Sequence, residues 1–284
     1  MERFMEMVQA KVMSAAALVL LACSCGPRMS WTKYDMDGHR TGVTAPNADN
    51  VAGALGSVND SCYVSPSGRV FPAGTATWAA AREMIAVQPQ MAPLKEVIGW
   101  SAEELRREGP NCKLSNWIVD HMIDDVAKIT GKKVDVGIIN SGGIRVDLPQ
   151  GAVIKDDLVS MLPFKNYLCY VALKGSDLSA LFEYMADGNL QCFGGAKLVL
   201  DGNRVDTLLV GGRPVDPDGT YGVATIDFLL DGGDRINIGK NARELIITDV
   251  KVIDSMLPYA MSYAERGDTI RYFVDDRLVI RGRE

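Results

Sequence analysis

The chain has 284 residues, of which 47% are hydrophobic and 23% are charged. This composition is typical of a globular protein with a core large enough to fold, and it excludes a disordered or fibrous chain. The formal net charge of −6 gives no basic surface, so we expect no nucleic-acid partner.

The N-terminus predicts export. A short apolar run, residues 12–22, ends in the letters LLAC. It is too short to span a bilayer but has the length of a signal-peptide core. LLAC resembles the bacterial lipobox, so we expect a lipoprotein signal peptide over residues 1–25 and lipidation at Cys23, with Cys25 as second choice. The protein would then be lipid-anchored to a membrane of the bacterial cell envelope, in the periplasm or at the cell surface. A buried apolar N-terminal helix is the alternative.

Residues 26–75 are rich in Gly, Pro, Ser, Asn and Asp, which predicts a tether and irregular segment with short strands at CYV and RVF near its end. The folded domain is predicted over residues 76–284. No later run of 18 apolar residues occurs, so no transmembrane helix is predicted. No CxxC pair occurs, so no zinc site is expected. In an exported protein, one or two disulfides could form among Cys62, Cys112, Cys169 and Cys192.

Strands and helices alternate from residue 77 onward. Helices are predicted at TWAAAREMIAVQ, at SNWIVDHMIDDVAKITG with Gly131 as its C-terminal cap, from Asp156, from Ser176, and over most of TDVKVIDSMLPYAMSYAERG with a kink at Pro258. Strands are predicted at LKEVIGWSA, KKVDVGIIN, NYLCYVAL and TYGVATIDF, with hairpins at AKLVLDGNRVDTLLV and TIRYFVDDRLVIR. This order predicts an α/β (α+β) domain with a mixed β-sheet and packed helices.

The burial pattern can be predicted for two of these elements. KKVDVGIIN alternates like a half-buried strand. The helix around His121 should bury one stripe, formed by Ile118, Val119, Met122, Ile123, Val126 and Ile129.

Three predicted loops carry side chains suited to a nucleoside: NSGGIR (residues 140–145), LPFKN (162–166) and FLLDGGD (228–234). Two aromatic rings can sandwich a flat base, an arginine donates planar hydrogen bonds, and an aspartate accepts from a pair of hydroxyls. The candidate binding residues are Asn140, Arg145, Phe164, Asn166, Phe228 and Asp234, and the loop glycines are Gly142, Gly143, Gly232 and Gly233. The alternative is coincidental loop chemistry with the two phenylalanines in the core.

These motifs, with EVIGWSAEELRR, LSNWIVDHM and LKGSDLSALFE, resemble the C-terminal domain of the 5'-nucleotidase / UDP-sugar hydrolase family over residues 94–280. The resemblance implies a substrate-specificity domain of that family's fold. It implies that Phe164 and Phe228 stack on the base, that Arg145 and Asp234 are polar clamps, and that Asn140 and Asn166 are supporting amides.

The chain departs from the family pattern at several positions. SNW stands where Gly-Asn-Leu is usual, Lys165 replaces a glycine, and Arg235–Ile236 follows the GGD motif where Gly-Tyr or Gly-Phe is usual. The family's additional upstream basic ligand residue has no clear counterpart. These departures leave the base preference open.

The family's full-length enzymes also carry a metallophosphoesterase domain that holds two metal ions with histidines and carboxylates. This chain has two histidines, His39 and His121, which are too few for such a site. We therefore expect no catalytic residue, metal or cofactor in this chain, and divalent metals only in a partner. His121, near Asp120, Asp124 and Asp125, is read as structural.

Two functions remain open. The chain is predicted to be the nucleotide- or nucleoside-recognising half of a split 5'-nucleotidase, acting in nucleotide catabolism with a separately encoded metallophosphoesterase subunit. The alternative is an exported nucleotide- or nucleoside-binding lipoprotein with no enzymatic role, and a degenerate structural relic is a third possibility.

Overall fold

The structure, a computed structural model, describes residues 51–282. In that part of the chain the helices are α1 (Val51–Leu55), α2 (Ala76–Ala86), α3 (Gln88–Met91), α4 (Lys113–Thr130), α5 (Lys155–Met161), α6 (Gly175–Ala186) and α7 (Val252–Glu265). The predicted signal peptide, the lipidation site Cys23 and most of the predicted tether lie outside the described residues.

The strands of the described part form four sheets. They are β1 (Ser57–Val58), β2 (Cys62–Val64), β3 (Val70–Pro72), β4 (Val97–Ser101), β5 (Val136–Ile139), β6 (Gly151–Ile154), β7 (Tyr167–Lys174), β8 (Cys192–Gly194), β9 (Ala196–Asp201), β10 (Arg204–Val210), β11 (Arg213–Pro214), β12 (Thr220–Ile226), β13 (Glu244–Lys251) and β14 (Leu278–Arg281). The sheet orders are β1-β2-β3, β4-β6, β11-β10-β9-β14 and β13-β7-β12-β5-β8. The first sheet contains the two short strands predicted at CYV and RVF.

The five-stranded sheet is mixed, which confirms the predicted fold class. Strands β12 and β5 are parallel, whereas β7 is antiparallel to β12, β13 to β7, and β8 to β5. The expectation of a half-buried β5 is wrong, because all four of its residues are buried. The strand has neighbours on both edges and α4 packs against it, so even its glycine faces a crowded interior.

Helix α4 packs closely on this sheet at two glycines. A Cβ atom on Gly137 of β5 would lie 2.7 Å from Ile123, and one on Gly194 of β8 would lie 2.6 Å from Asp120. The predicted stripe is confirmed in most of its members, and Gly131 caps the helix in the left-handed conformation with φ of 66°. Ile129 is the exception: it lies in the last turn and is 40% exposed.

Near the C-terminus the predicted helix is confirmed over most of its length. Its first four residues, TDVK, belong instead to strand β13, and helix α7 begins at Val252. Pairing with β7 extends the strand to Lys251, although the apolar spacing continues smoothly into the helix. The last segment is no hairpin: β14 pairs in parallel with β9, and Ile270 bridges to Ser101.

Arg277 fixes this C-terminal segment to the core. Its guanidinium group, nearly buried, donates to both carboxylate oxygens of Asp120 at 2.9 and 2.8 Å and to those of Asp275 at 2.7 and 2.9 Å. It also donates to the carbonyl oxygen of Phe193 at 3.1 Å. The hydroxyl of Tyr272 donates to Asp120 at 2.8 Å. One side chain thus ties helix α4, strand β8 and the C-terminal segment together.

We predict that replacing Arg277 with Met lowers the free energy of unfolding by about 3 kcal/mol, because removing one partner of a buried ion pair leaves the remaining charges uncompensated. Urea denaturation of the purified protein measures it. Arg281→Met is the matched control: that arginine is mostly exposed and lies 3.5 Å from Asp206, so its loss should change stability by less than about 1 kcal/mol. Equal effects of the two variants would contradict the prediction.

Candidate functional site

The six candidate binding residues lie around one cavity. Its volume is about 270 Å³, and its lining comprises Asn140, Gly142, Arg145, Phe164, Asn166, Phe228 and Asp234. We call it the loop cavity. The three loops are distant in sequence, so their convergence is a property of the fold.

Strand direction explains the convergence. The order β7-β12-β5 makes three strands neighbours. Strands β5 and β12 are parallel, so the loops that follow them, which carry Asn140 and Phe228, leave the same edge of the sheet. Strand β7 runs the opposite way, so the segment that precedes it, with Phe164, reaches that edge as well. Ends of strands in α/β sheets are common positions for ligand sites.

The two phenylalanines are exposed and do not belong to the core. Phe164 is 47% exposed and Phe228 is 43% exposed, whereas core aromatics such as Phe182 have no exposed surface. Asp227 fixes the turn that carries Phe228, because its Oδ1 accepts the N–H groups of Phe228 at 2.9 Å and of Tyr167 at 3.1 Å. The alternative interpretation of both rings as core residues is therefore wrong.

A hydrogen bond joins the first and third loops. The Nδ2 of Asn140 donates to Oδ2 of Asp234 at 2.9 Å. Asn140 is buried, and its Oδ1 has no hydrogen-bond partner among the described residues. Arg145 donates through Nη1 to the carbonyl oxygen of Gly142 at 3.1 Å. Unused donors on the arginine and an unused acceptor on Asp234 remain for a ligand, whereas Oδ1 of Asn140 is itself buried.

Three of the four loop glycines have a steric or conformational requirement. A Cβ on Gly143 would lie 2.5 Å from Oδ1 of Asn140, and one on Gly233 would lie 1.9 Å from the carbonyl oxygen of Phe228. Gly232 has φ of 91°, a conformation that disfavours other residues. Gly142 has no such requirement, because its nearest neighbour would be 3.8 Å away.

Sequence reasoning missed two residues that support the loops, Asn189 and Gln191. Gln191 accepts the N–H of Ser141 at 2.9 Å and donates to Oδ1 of Asn189 at 3.0 Å. Asn189 in turn donates to the carbonyl oxygen of Asp234 at 2.8 Å. This amide chain connects the same two loops a second time. Both residues precede β8, and no motif or periodicity in the sequence marks that segment as part of the site.

His121 lies within the fold between two helices. Its Nε2 is 2.9 Å from Oγ of Ser255, whose hydroxyl donates to Asp125 at 2.6 Å, and its ring stacks on Tyr259 at 3.9 Å between centroids. Burial lowers the pKa of His121 although Asp125 opposes this effect. The buried Ser255 lies between Asp125 and His121. These hydrogen bonds join helix α4 to helix α7, which agrees with a structural role for His121. No cluster of three metal-ligating side chains occurs within residues 51–282.

Comparisons with known proteins agree with the motifs. The family described as "5'-nucleotidase, C-terminal domain" matches residues 94–240. The chain belongs to this family. The match covers the loops with all six candidate residues.

Individual relatives match parts of their own length. Protein UshA of Yersinia enterocolitica is 32% identical over 105 residues, covering 35% of this chain and 19% of the relative. An apyrase of Tabanus yao is 28% identical over 194 residues, covering 58% of this chain and 35% of the relative. The crystal structure of a 5'-nucleotidase precursor from Thermus thermophilus has a TM-score of 0.64 at 22% identity, over 78% of this chain and 49% of that one. The chain thus spans a fifth to half of these proteins, and the last likeness shows the fold alone.

Two features of the described residues bear on the disulfides and membrane spans considered above. The four cysteines in this part of the chain are free thiols, and Cys169 is buried in the core. No helix within residues 51–282 is long and apolar enough to cross a membrane.

We predict that Gly233→Ala lowers the free energy of unfolding by roughly 1–3 kcal/mol, because the added methyl group must displace the backbone at Phe228. Gly142→Ala is the control and should change it by less than about 0.5 kcal/mol. Chemical denaturation compares both with wild type. A stable Gly233→Ala variant would show that the turn is not tightly packed on Phe228.

We also predict that Gln191→Ala loosens the NSGGIR loop. The amide of Ser141 loses its acceptor, so its hydrogen exchange should accelerate about fivefold, corresponding to a hydrogen bond of about 1 kcal/mol. Gln150→Ala is the control, because that side chain donates only to the carbonyl oxygen of Ala102. Unchanged exchange at Ser141, measured by NMR, would assign Gln191 no role in positioning this loop.

Proposed function

We propose that this chain is the nucleoside-recognising half of a split 5'-nucleotidase, and that a separately encoded metallophosphoesterase hydrolyses the phosphoester. The observation that carries the proposal is the loop cavity, where two exposed phenylalanines, an arginine, an aspartate and two asparagines meet. Export and lipid anchoring at Cys23 are part of the proposal and rest on the N-terminal sequence.

The side chains suit the three parts of a nucleoside. Phe164 and Phe228 supply flat apolar faces for a base, and stacking on an aromatic side chain contributes roughly 1–3 kcal/mol per base. Asp234 uses Oδ2 to accept from Asn140 and keeps its other oxygen for a ribose hydroxyl. Arg145, exposed at the cavity, can donate to the base, the sugar or a phosphate.

The cavity also suits a site completed by a second chain. Its volume of about 270 Å³ lies just below the roughly 300–1,000 Å³ typical of small-molecule sites. The similarity to longer proteins called 5'-nucleotidases supports a site that works beside a second domain or subunit, since this chain spans 49% of the solved one. A partner docked over the loops would supply the further wall and the metal-binding residues.

We predict that Phe228→Ala weakens binding of adenosine or uridine by tenfold to a hundredfold, roughly the effect of losing one stacking face. Isothermal titration calorimetry measures the affinity, and a thermal melt checks that the fold is retained. Trp100→Ala is the control, because Trp100 is also an exposed aromatic, at 55% against 43% for Phe228, but does not line the cavity.

Asp234→Asn keeps an acceptor for Asn140 but loses one for a hydroxyl, so it should reduce the preference for ribose over deoxyribose. A wild type that binds no nucleoside in the presence of its catalytic partner would refute the site.

We predict further that the chain alone releases no phosphate from AMP or UDP-glucose with added manganese, zinc or cobalt. Addition of a stand-alone metallophosphoesterase from the same genome should produce turnover that Phe228→Ala diminishes. Chelator-sensitive turnover by the isolated chain would contradict the split arrangement. Nucleoside binding without turnover in any such mixture would favour a binding lipoprotein instead.

A further inference from the structure

Consecutive residues of the GGD turn line two different cavities. Asp234 lines the loop cavity, whereas Arg235 lines a second cavity of about 380 Å³. The residues that carry the argument there are Arg235 and Lys240, the neighbouring Asp177 and Asn241, and the ring of Tyr184. We call it the Arg235 cavity, and none of the six candidate binding residues lines it.

The backbone conformation of Arg235 is unusual. Its φ is 62°, and that of Asp234 is 48°, both in the left-handed region. Hydrogen bonds from Arg235 N–H to the Gly232 carbonyl at 3.0 Å and from Gly232 N–H to the Ile236 carbonyl at 2.8 Å close the turn around them. Aspartate tolerates this region, but arginine has no short polar side chain to compensate for the strain. Glycine would adopt it freely.

Backbone strain of this kind is typical of positions at ligand sites. The charges point to the kind of ligand. Neither Arg235 nor Lys240 has a carboxylate within ion-pair distance in the described part of the chain. The one acidic lining residue, Asp177, already accepts from Nδ2 of Asn241 at 2.6 Å. The lining therefore carries two cations against one anion, on a protein with a net charge of −6.

The remaining lining is largely apolar. Leu173, Leu181 and Ile238 contribute aliphatic surface, and the ring of Tyr184 is 48% exposed. An apolar surface beside two cations that have no ion-pair partner within residues 51–282 fits a molecule that has both an apolar body and an anionic group. The planar guanidinium group matches carboxylate and phosphate oxygens in particular.

We propose that the Arg235 cavity binds a small organic anion: a carboxylate or a phosphate monoester attached to an aromatic or aliphatic body. Arg235 and Lys240 hold the anionic oxygens, and the body packs on Tyr184 and the aliphatic side chains. This site is separate from the loop cavity and does not depend on nucleoside binding there.

Calorimetry with phenyl phosphate, benzoate and the neutral benzyl alcohol tests the proposal. We expect wild type to bind at least one anion more than tenfold tighter than the alcohol, and the comparison of the two anions distinguishes phosphate from carboxylate. Arg235→Gln and Lys240→Gln should each weaken the anion roughly tenfold, the size expected for a lost charge-assisted hydrogen bond. Arg213→Gln, an exposed arginine outside the cavity, is the control. Equal affinity for the alcohol and the anions would overturn the proposal.

Two further variants remove the ambiguities. Arg145→Gln reports on the loop cavity: if it abolishes anion binding while Arg235→Gln does not, the anion lies with the nucleoside site and the proposal is wrong. Arg235→Gly removes the charge and the backbone strain together, so it should melt no lower than wild type yet bind the anion as weakly as Arg235→Gln. Wild-type affinity in the Arg235→Gly variant would leave the arginine with no ligand role.

Discussion

The hydrogen bond between Asn140 and Asp234 is the interaction on which the candidate site depends. It joins loops that are 94 residues apart in sequence, at a distance of 2.9 Å. Its acceptor is a carboxylate, which makes such bonds shorter and stronger than neutral ones. The bond also divides the oxygens of Asp234, because one is engaged by the protein while the other is left for a ligand.

The glycines around this bond follow from it. Asn140 can reach across only if Gly143 carries no side chain, since a Cβ there would meet the amide oxygen at 2.5 Å. Asp234 reaches back from a left-handed conformation that Gly232 and Gly233 make accessible. Asn189 then holds the carbonyl oxygen of Asp234 from the other side. The glycines of both motifs thus allow the two loops to approach each other closely, in addition to forming the turns themselves.

The sequence could predict the elements and the membership of the site, but not the contacts that hold it. The phenylalanines, the arginine and the aspartate were predictable because they lie in loops after or before strands and match a family motif. Asn189 and Gln191 were not, because an amide in a loop has no periodicity and its partners are set by the tertiary fold. Strand β13 and the C-terminal segment were misread for a similar reason: pairing with β7 and β9 outweighs local spacing. The buried Arg277 attaches this segment to helix α4 through its ion pair with Asp120.

Three potentially reactive side chains within residues 51–282, Cys169, Cys192 and His121, have structural surroundings. Burial raises the pKa of Cys192 to about 11 and that of Cys169 to about 12, so neither is a thiolate near neutral pH. His121 is held between Ser255 and Tyr259, away from the loop cavity lining. The lining of the loop cavity contains aromatic, amide and charged side chains but no base paired with a nucleophile. Recognition and bond cleavage can be separated in this way only if the substrate's phosphate projects out of the cavity toward the partner, and the exposed positions of Phe164, Phe228 and Arg145 around the cavity are compatible with that arrangement.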